Sequence, residues 1–231
     1  MPKAERNTMD IYNQTTQSQE IKNLWQIIEV NPNSIIEIRA ISNLKPISRL
    51  FRGSQFSSVS ALKEAVEDEA LRLNNLKYNV YIVMNPISHG FKGGSASDDD
   101  IECRKLLLID IDRAKTSKEP ASNEELISAK LLAMDVAKYL KRQGMLDPIV
   151  VMSGNGYHLY YKFHSIPNTP ENAAKAGEFL RRLAAKFDND QVKIDTCVYN
   201  ASRITKVVGT ISRKGVATAD RPHRMAEVVT W

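Results

Sequence analysis

Two aspartates one residue apart, Asp110 and Asp112, close an unbroken apolar run, Leu106-Leu107-Leu108-Ile109. Such a run reads as a β-strand buried on both faces. Side chains alternate along a strand, so the two carboxylates share a face, about 7 Å apart along the backbone. At the end of a buried strand they repel each other and lose hydration. A divalent cation taking oxygen ligands would relieve both penalties. The plainer alternative is a strand that frays into the polar stretch after it, with both aspartates as turn residues.

Other stretches carry chemistry-bearing residues. Ser153-Gly154-Asn155-Gly156-Tyr157-His158 is a tight glycine turn running into a strand. Small residues there expose backbone N–H groups and let a phosphate approach, and His158 has a hydrogen bond to donate. Taken alone, an ordinary hairpin with a surface histidine explains it equally well. Asp195 ends a short strand, Val192-Lys193-Ile194. Arg203 and Lys206 supply cations able to neutralise a triphosphate, Arg as a fork and Lys as a point charge. If Arg203 opens a strand, Thr205 shares its face and Lys206 does not, so one ligand reaches both only through a bend. Asp98-Asp99-Asp100 sits in the glycine- and serine-rich stretch His89–Asp100 and reads as a solvated acidic turn rather than a metal cluster.

The elements that must position these residues follow from periodicity. Residues 1 to about 20 are polar and read as loosely ordered or weakly helical. Ile21, Leu24, Trp25 and Ile28 predict a short helix ending before Pro32. Ile35–Ile41 alternates as a strand, and Ser48–Phe51 is a second extended piece. A helix is predicted over Ser58–Leu73 and a strand over Tyr78–Met84, closed by Asn85-Pro86. Ser122 and Glu125 form a capping box for a helix that carries Leu126, Ala129, Ala133, Val136, Ala137 and Leu140 on one face and stops at Gly144. Pro148–Met152 and Tyr157–Phe163 make a hairpin, and Thr169-Pro170 opens the next helix. Arg203–Gly209 and Met225–Thr230 are further strands.

From Lys105 to Asp195 the order is therefore strand, helix, strand, strand, helix, strand, the βαββαβ unit of ferredoxin-like and RNA-recognition folds. Its first strand is central, flanked by the third and fourth. Asp110, Asp112, His158 and Asp195 then share one face or edge of a sheet. Three aspartates and a histidine around a cleft suit metal chemistry on a phosphate. The fold class is α+β: an RRM-like βαββαβ core over residues 105–231, packed with an N-terminal α/β part over residues 1–104.

Composition limits the alternatives. The chain has 231 residues, 42% of them hydrophobic, enough for a sizeable core. A formal net charge of +5 mildly favours a polyanionic partner. Two distant cysteines, Cys103 and Cys197, build neither a zinc-type cluster nor a disulfide framework, and fit a reducing, intracellular setting. No apolar run approaches the roughly 20 residues of a membrane span.

On these residues the chain resembles the archaeo-eukaryotic primase superfamily, in particular the primase-polymerases of plasmids, phages and mobile elements. Leu106–Asp112 matches the first motif, an apolar run followed by Asp-x-Asp. Ser153–His158 matches the second, Ser-Gly-x-Gly-x-His, and Ile194-Asp195 the third. Arg203, Lys206, Gly209 and Thr210 match a downstream basic pattern, and Asn85 looks like an asparagine near the incoming nucleotide. The resemblance implies a template-dependent DNA primase and polymerase that transfers nucleotides from a dNTP or NTP to a 3′-hydroxyl. It implies that Asp110, Asp112 and Asp195 hold two Mg²⁺ or Mn²⁺ ions. It implies that Asn85, Ser153, Gly154, His158, Arg203 and Lys206 contact the nucleotide. The implied partners are a single-stranded DNA template with primer, and a helicase or helical priming domain beyond this chain. The implied setting is the cytoplasm of a prokaryote or of its mobile elements, and no zinc module is expected.

Two rivals stand beside this reading. One is a non-catalytic RNA-recognition-type module, in which Tyr160 would stack a base. The other is a glycosyltransferase using Asp-x-Asp to hold a metal and a nucleotide-sugar, which leaves the βαββαβ order and the third aspartate unexplained.

Overall fold

The computed structural model describes residues 14–115 and 117–231; residues 1–13, most of the polar N-terminal stretch, lie outside them. Helical turns occupy residues 14–27, ending in α1 (Leu24–Ile27). Ile21, Leu24, Ile27 and Ile28 are buried, so the predicted apolar face does anchor this segment.

Two antiparallel sheets carry the rest. The first has the order β2 (Ile47–Arg52), β1 (Ile35–Ile41), β3 (Asn79–Val83), β8 (Ile204–Lys206), with α2 (Val59–Asn75) against it. Ser58 caps α2 through its side chain, which accepts from the Ala61 N–H. The second sheet has the order β11 (Glu227–Val229), β5 (Ile149–Met152), β6 (Tyr157–Pro167), β4 (Cys103–Arg113), β7 (Val192–Ile194). Helices α3 (Asn123–Arg142) and α4 (Pro170–Phe187) complete the βαββαβ unit. As the pattern predicts, β4 is flanked by β6 and β7. A short hairpin, β9 (Ile211–Ser212) with β10 (Arg224–Met225), follows β8.

The two parts on either side of residues 104/105, expected together as one domain, share a sheet. β8 comes from the second part of the chain yet completes the first sheet, pairing Ile82 with Thr205. One apolar cluster runs through both sheets, from Ile38 and Ile82 to Leu108, Ile109 and Leu159. β4 is buried on both faces, with Leu108 at 2% and Ile109 at 0% exposure. Each such side chain contributes about 1.5–3 kcal/mol by leaving water. The β6 strand runs beyond its predicted end at Phe163, because β4 pairs it as far as Pro167 after a bulge.

The β5–β6 turn is closed down onto the end of β4. A Cβ at Gly156 would stand 2.2 Å from the Ile111 carbonyl oxygen and 3.2 Å from an Asp112 carboxylate oxygen. At Gly154 (φ +100°) a Cβ would meet the Ser212 Cβ at 2.5 Å. Asn155 ties the tip down: its side-chain carbonyl accepts the Ala121 N–H at 2.9 Å, and its amide donates to Ser212 at 3.0 Å.

The β9–β10 loop is fixed to the start of α3 by ion pairs. Arg221 donates to Glu125 at 2.7 and 3.0 Å, and Arg113 reaches the same carboxylate at 2.9 Å. The Arg221 hydrogen bonds outweigh partial burial and, with the Ser122 N–H and the Arg113 charge, hold Glu125 down to about 2.

Two outcomes follow. Gly156→Ala is expected to lose about 1–3 kcal/mol in urea denaturation, because backbone rather than a flexible side chain fills the space. Glu125 ionises more easily folded than unfolded, so its contribution is complete above about pH 4.5 and fades as the pH falls towards 2. The stability gap between wild type and Glu125→Gln should therefore shrink over that interval in acid denaturation curves.

Candidate active site

Register builds the site. Asp110 pairs with His158 across β4 and β6, and His158 with Val151 on β5. On the other side Ile111 pairs with Ile194, and the Asp195 N–H donates to the Asp110 carbonyl at 2.8 Å. His158 and Asp110 thus stand side by side, and Asp195, one residue past the end of β7, is held next to Asp110 through the backbone. Directly opposed residues point to the same face. Asp112, two residues beyond Asp110, shares that face. Ile109 and Ile111 point the other way into the core, where α3 packs.

The carboxylates are unequal. Burial pushes the Asp110 carboxyl up, but the His158 imidazole, with Nε2 3.4 Å from Oδ1, and the charges of Arg203 and Lys214 bring it below its ordinary range. Asp112 goes the other way: burial and the Asp110 charge raise it, against the pull of Lys214 and the Arg113 N–H at 3.1 Å. An ionised carboxylate beside one reluctant to ionise is a pair short of positive charge. Asp195 is half-buried, and its Oδ1 accepts the Cys197 N–H at 2.8 Å. Among the described residues no group of three or more His, Cys, Asp or Glu side chains is placed to hold a metal ion. The three aspartates meet through the sheet, while the Asp195 carboxylate is turned to its own turn. In donor type the set fits a hard divalent cation, since all three offer carboxylate oxygen. Burial and then the Asp110 charge raise Asp112, and such an ion would oppose both.

The second-motif turn has a different logic from the expected one. The spaces at Gly154 and Gly156 are filled by Ser212, Arg224, Ile111 and Asp112. Glycine here permits close packing of turn on strand. The Ser153 hydroxyl donates to the Gly156 carbonyl at 3.2 Å, and the Gly154 N–H lies 3.0 Å from the Met152 sulfur.

His158 is 7% exposed, and behind it lies a buried hydroxyl chain. Its Nδ1 is 2.9 Å from the Tyr160 hydroxyl, which is 2.5 Å from Thr205 Oγ1 on β8. Tyr160 is 1% exposed, so it is not the base-stacking surface a binding module would need. Its alternation with His158 was the signal that the two share a face. Thr205 had no such signal, because β8 reaches it from the other sheet.

The downstream cations divide as strand alternation requires. Arg203 donates to the Cys197 carbonyl at 2.6 Å, its buried Nε has no partner among the described residues, and its charge bears on Asp110. Lys206, on the face opposite Thr205, is 3% exposed, lies 5.6 Å from the Tyr81 ring centroid and donates to the Ile211 carbonyl at 3.2 Å. Burial, and then the Arg213 charge, push it down to about 7. No bend brings it round to Arg203. Lys214, which sequence reasoning missed, acts on both Asp110 and Asp112. It sits in the long β9–β10 loop, where periodicity is silent.

Asn85 is a brace. Its side-chain carbonyl accepts the Lys105 and Leu106 N–H groups at 2.9 and 3.1 Å, and its amide donates to Ala201 at 2.9 Å. It borders a cavity of about 800 Å³ at the opposite end of β4, which none of the three aspartates lines. Asp98 accepts from the Ser202 N–H and hydroxyl at 2.7 Å each, and Asp100 accepts from Ser97, so both fasten loops.

No protein-family model and no curated protein matches the sequence. Solved structures do match in fold. The AEP domain of the primase-polymerase of cyanophage S-2L gives a TM-score of 0.55 at 16% identity, over 92% of this chain and 89% of that one. Primase RepB′ gives 0.52 at 14% identity over 93% of this chain, which spans only 56% of RepB′. The catalytic domain of primase RepB′ in complex with initiator DNA gives 0.50 at 14% identity, over 92% and 83%. The chain thus has the fold of the archaeo-eukaryotic primase domain of primase-polymerases.

Proposed function

We propose that this chain is the catalytic domain of a template-dependent primase-polymerase. The observation that carries the reading is the register that sets His158 opposite Asp110, with Asp112 two residues on and the Asp195 backbone bonded to Asp110, in a primase-type sheet. The fold likeness to primases supports it. A non-catalytic binding module would have no use for paired carboxylates on its sheet, and its stacking aromatic is buried.

Asp110, Asp112 and Asp195 would hold one or two Mg²⁺ or Mn²⁺ ions, which supply charge neutralisation at the transferring phosphate and a more acidic 3′-hydroxyl. The protein's own groups bind and orient the nucleotide. His158 offers Nε2–H to a phosphate oxygen in place of Asp110. Arg203, with an unpartnered Nε, offers a fork to the same triphosphate. Ser153 and Gly154 hold the turn beside Asp112, so that phosphates and carboxylates meet at one edge. Lys206, buried under Tyr81, serves here by supporting β8 more than by direct contact. A single-stranded DNA template with primer, and dNTP or NTP, are the substrates on this reading.

Primer extension on a single-stranded DNA template, with labelled dNTP and NTP in parallel, tests it. Asp110→Asn or Asp112→Asn should lower synthesis on the order of 10³-fold or more, since several kcal/mol of charge stabilisation goes. Asp112→Asn should also raise the Tm of the metal-free protein, because the raised carboxyl is a destabilising charge above its own titration. Wild-type synthesis by either variant refutes the mechanism. His158→Ala should raise the nucleotide KM roughly 10-fold or more at little cost in kcat, as a charge-assisted hydrogen bond of about 1.5–3 kcal/mol is lost. A collapse of kcat at constant KM would give His158 another role.

A further inference from the structure

A chain of buried hydroxyls backs His158 through its Nδ1. Its members are distant in sequence and come from both sheets. Tyr160 is 1% and Thr205 2% exposed, so both hydroxyls lie away from bulk solvent. The contacts are short: 2.9 Å from His158 Nδ1 to the Tyr160 hydroxyl, and 2.5 Å from there to Thr205 Oγ1. Thr205 Oγ1 is also 3.4 Å from Nδ1. On the other side of the ring, Nε2 faces Asp110 Oδ1 at 3.4 Å.

Counting protons settles the arrangement of a neutral ring. An ionised carboxylate only accepts, so Nε2 is the donor facing Asp110. The hydroxyl protons can run Thr205 to Tyr160 to Nδ1, or Tyr160 to Thr205 to Nδ1. Both directions leave Nδ1 as an acceptor. Burial pushes the Tyr160 phenol well above its ordinary range, so the hydroxyl keeps its proton. The rings meet edge to face, with centroids 5.8 Å apart and planes at 74°, which limits rotation of the imidazole.

We propose that Tyr160 and Thr205 are positioning residues that hold His158 in the tautomer with its proton on Nε2, aimed at the carboxylate edge where a phosphate would bind. Thr205 stands on β8 of the first sheet, and His158 and Tyr160 on β6 of the second. The donor is therefore aimed only while the two sheets are docked. An isolated βαββαβ unit would contain His158 and Tyr160 but lack the hydroxyl from β8. The structural statement is independent of the polymerase reading, and its kinetic consequence rests on that reading.

The test uses the whole chain. Long-range ¹H–¹⁵N spectra of ¹⁵N-histidine-labelled protein report which ring nitrogen carries the proton. The chain has four histidines, and a His158→Gln sample assigns the signal. Wild type should show His158 protonated on Nε2 and bare on Nδ1. Tyr160→Phe should lose that pattern while remaining folded by near-UV circular dichroism, and the nucleotide KM should rise about fivefold with kcat little changed. Thr205→Val should weaken the pattern, and Thr205→Ser, which restores the hydroxyl, should recover it. A wild-type His158 protonated on Nδ1, or an unchanged pattern in Tyr160→Phe, overturns the proposal. So does Thr205→Ser behaving like Thr205→Val. If wild-type protein makes no polymer, the polymerase reading falls and the tautomer pattern alone decides this proposal.

Discussion

The structure depends on one unfavourable arrangement: two carboxylates held at the end of a strand whose other residues are core. Ile109 and Ile111, with no exposed surface, fix β4 between β6 and β7. Alternation then leaves Asp110 and Asp112 no other face to occupy. His158 and the charges of Arg203 and Lys214 more than offset these penalties at Asp110, whereas at Asp112 Lys214 and Arg113 offset them only in part. Hydrophobic burial stabilises the strand strongly enough to bear this, as functional sites commonly require.

The surroundings serve the same end. Two glycines let the β5–β6 turn close onto Asp112, so that His158 enters β6 opposite Asp110 rather than a residue away. A slip of one residue would turn His158 to the helix side of the sheet. Asn85 and Asp98 pin the segments that carry β4 and Arg203, and the Arg221–Glu125 pair pins the loop that carries Lys214. These contacts explain polar residues that touch no substrate: backbone groups in irregular segments need partners once buried.

Much of this was legible in the residues. The order of strands and helices, the capping box at Ser122 and the central place of β4 follow from periodicity and turn chemistry. Hence the meeting of Asp110, His158 and Asp195 did too. The rest depends on contacts between elements that no local pattern encodes. β8 is three residues long and joins the sheet of the other half, so Thr205 and the burial of Tyr160 were invisible. The packing contacts of Asn85 and the two glycines had no local signal, because a residue type does not disclose what fills the space beside it. Lys214 sits in a loop with no period to place it.

The central claim is that the three aspartates share divalent cations under a nucleotide. Calorimetric titration of Mn²⁺ into the protein, saturated with a non-hydrolysable deoxynucleoside triphosphate, tests it most directly. Binding should be lost or weakened at least tenfold in Asp195→Asn, the member whose Oδ1 already accepts the Cys197 N–H. Mn²⁺ binding of unchanged affinity and stoichiometry in Asp195→Asn would contradict the account.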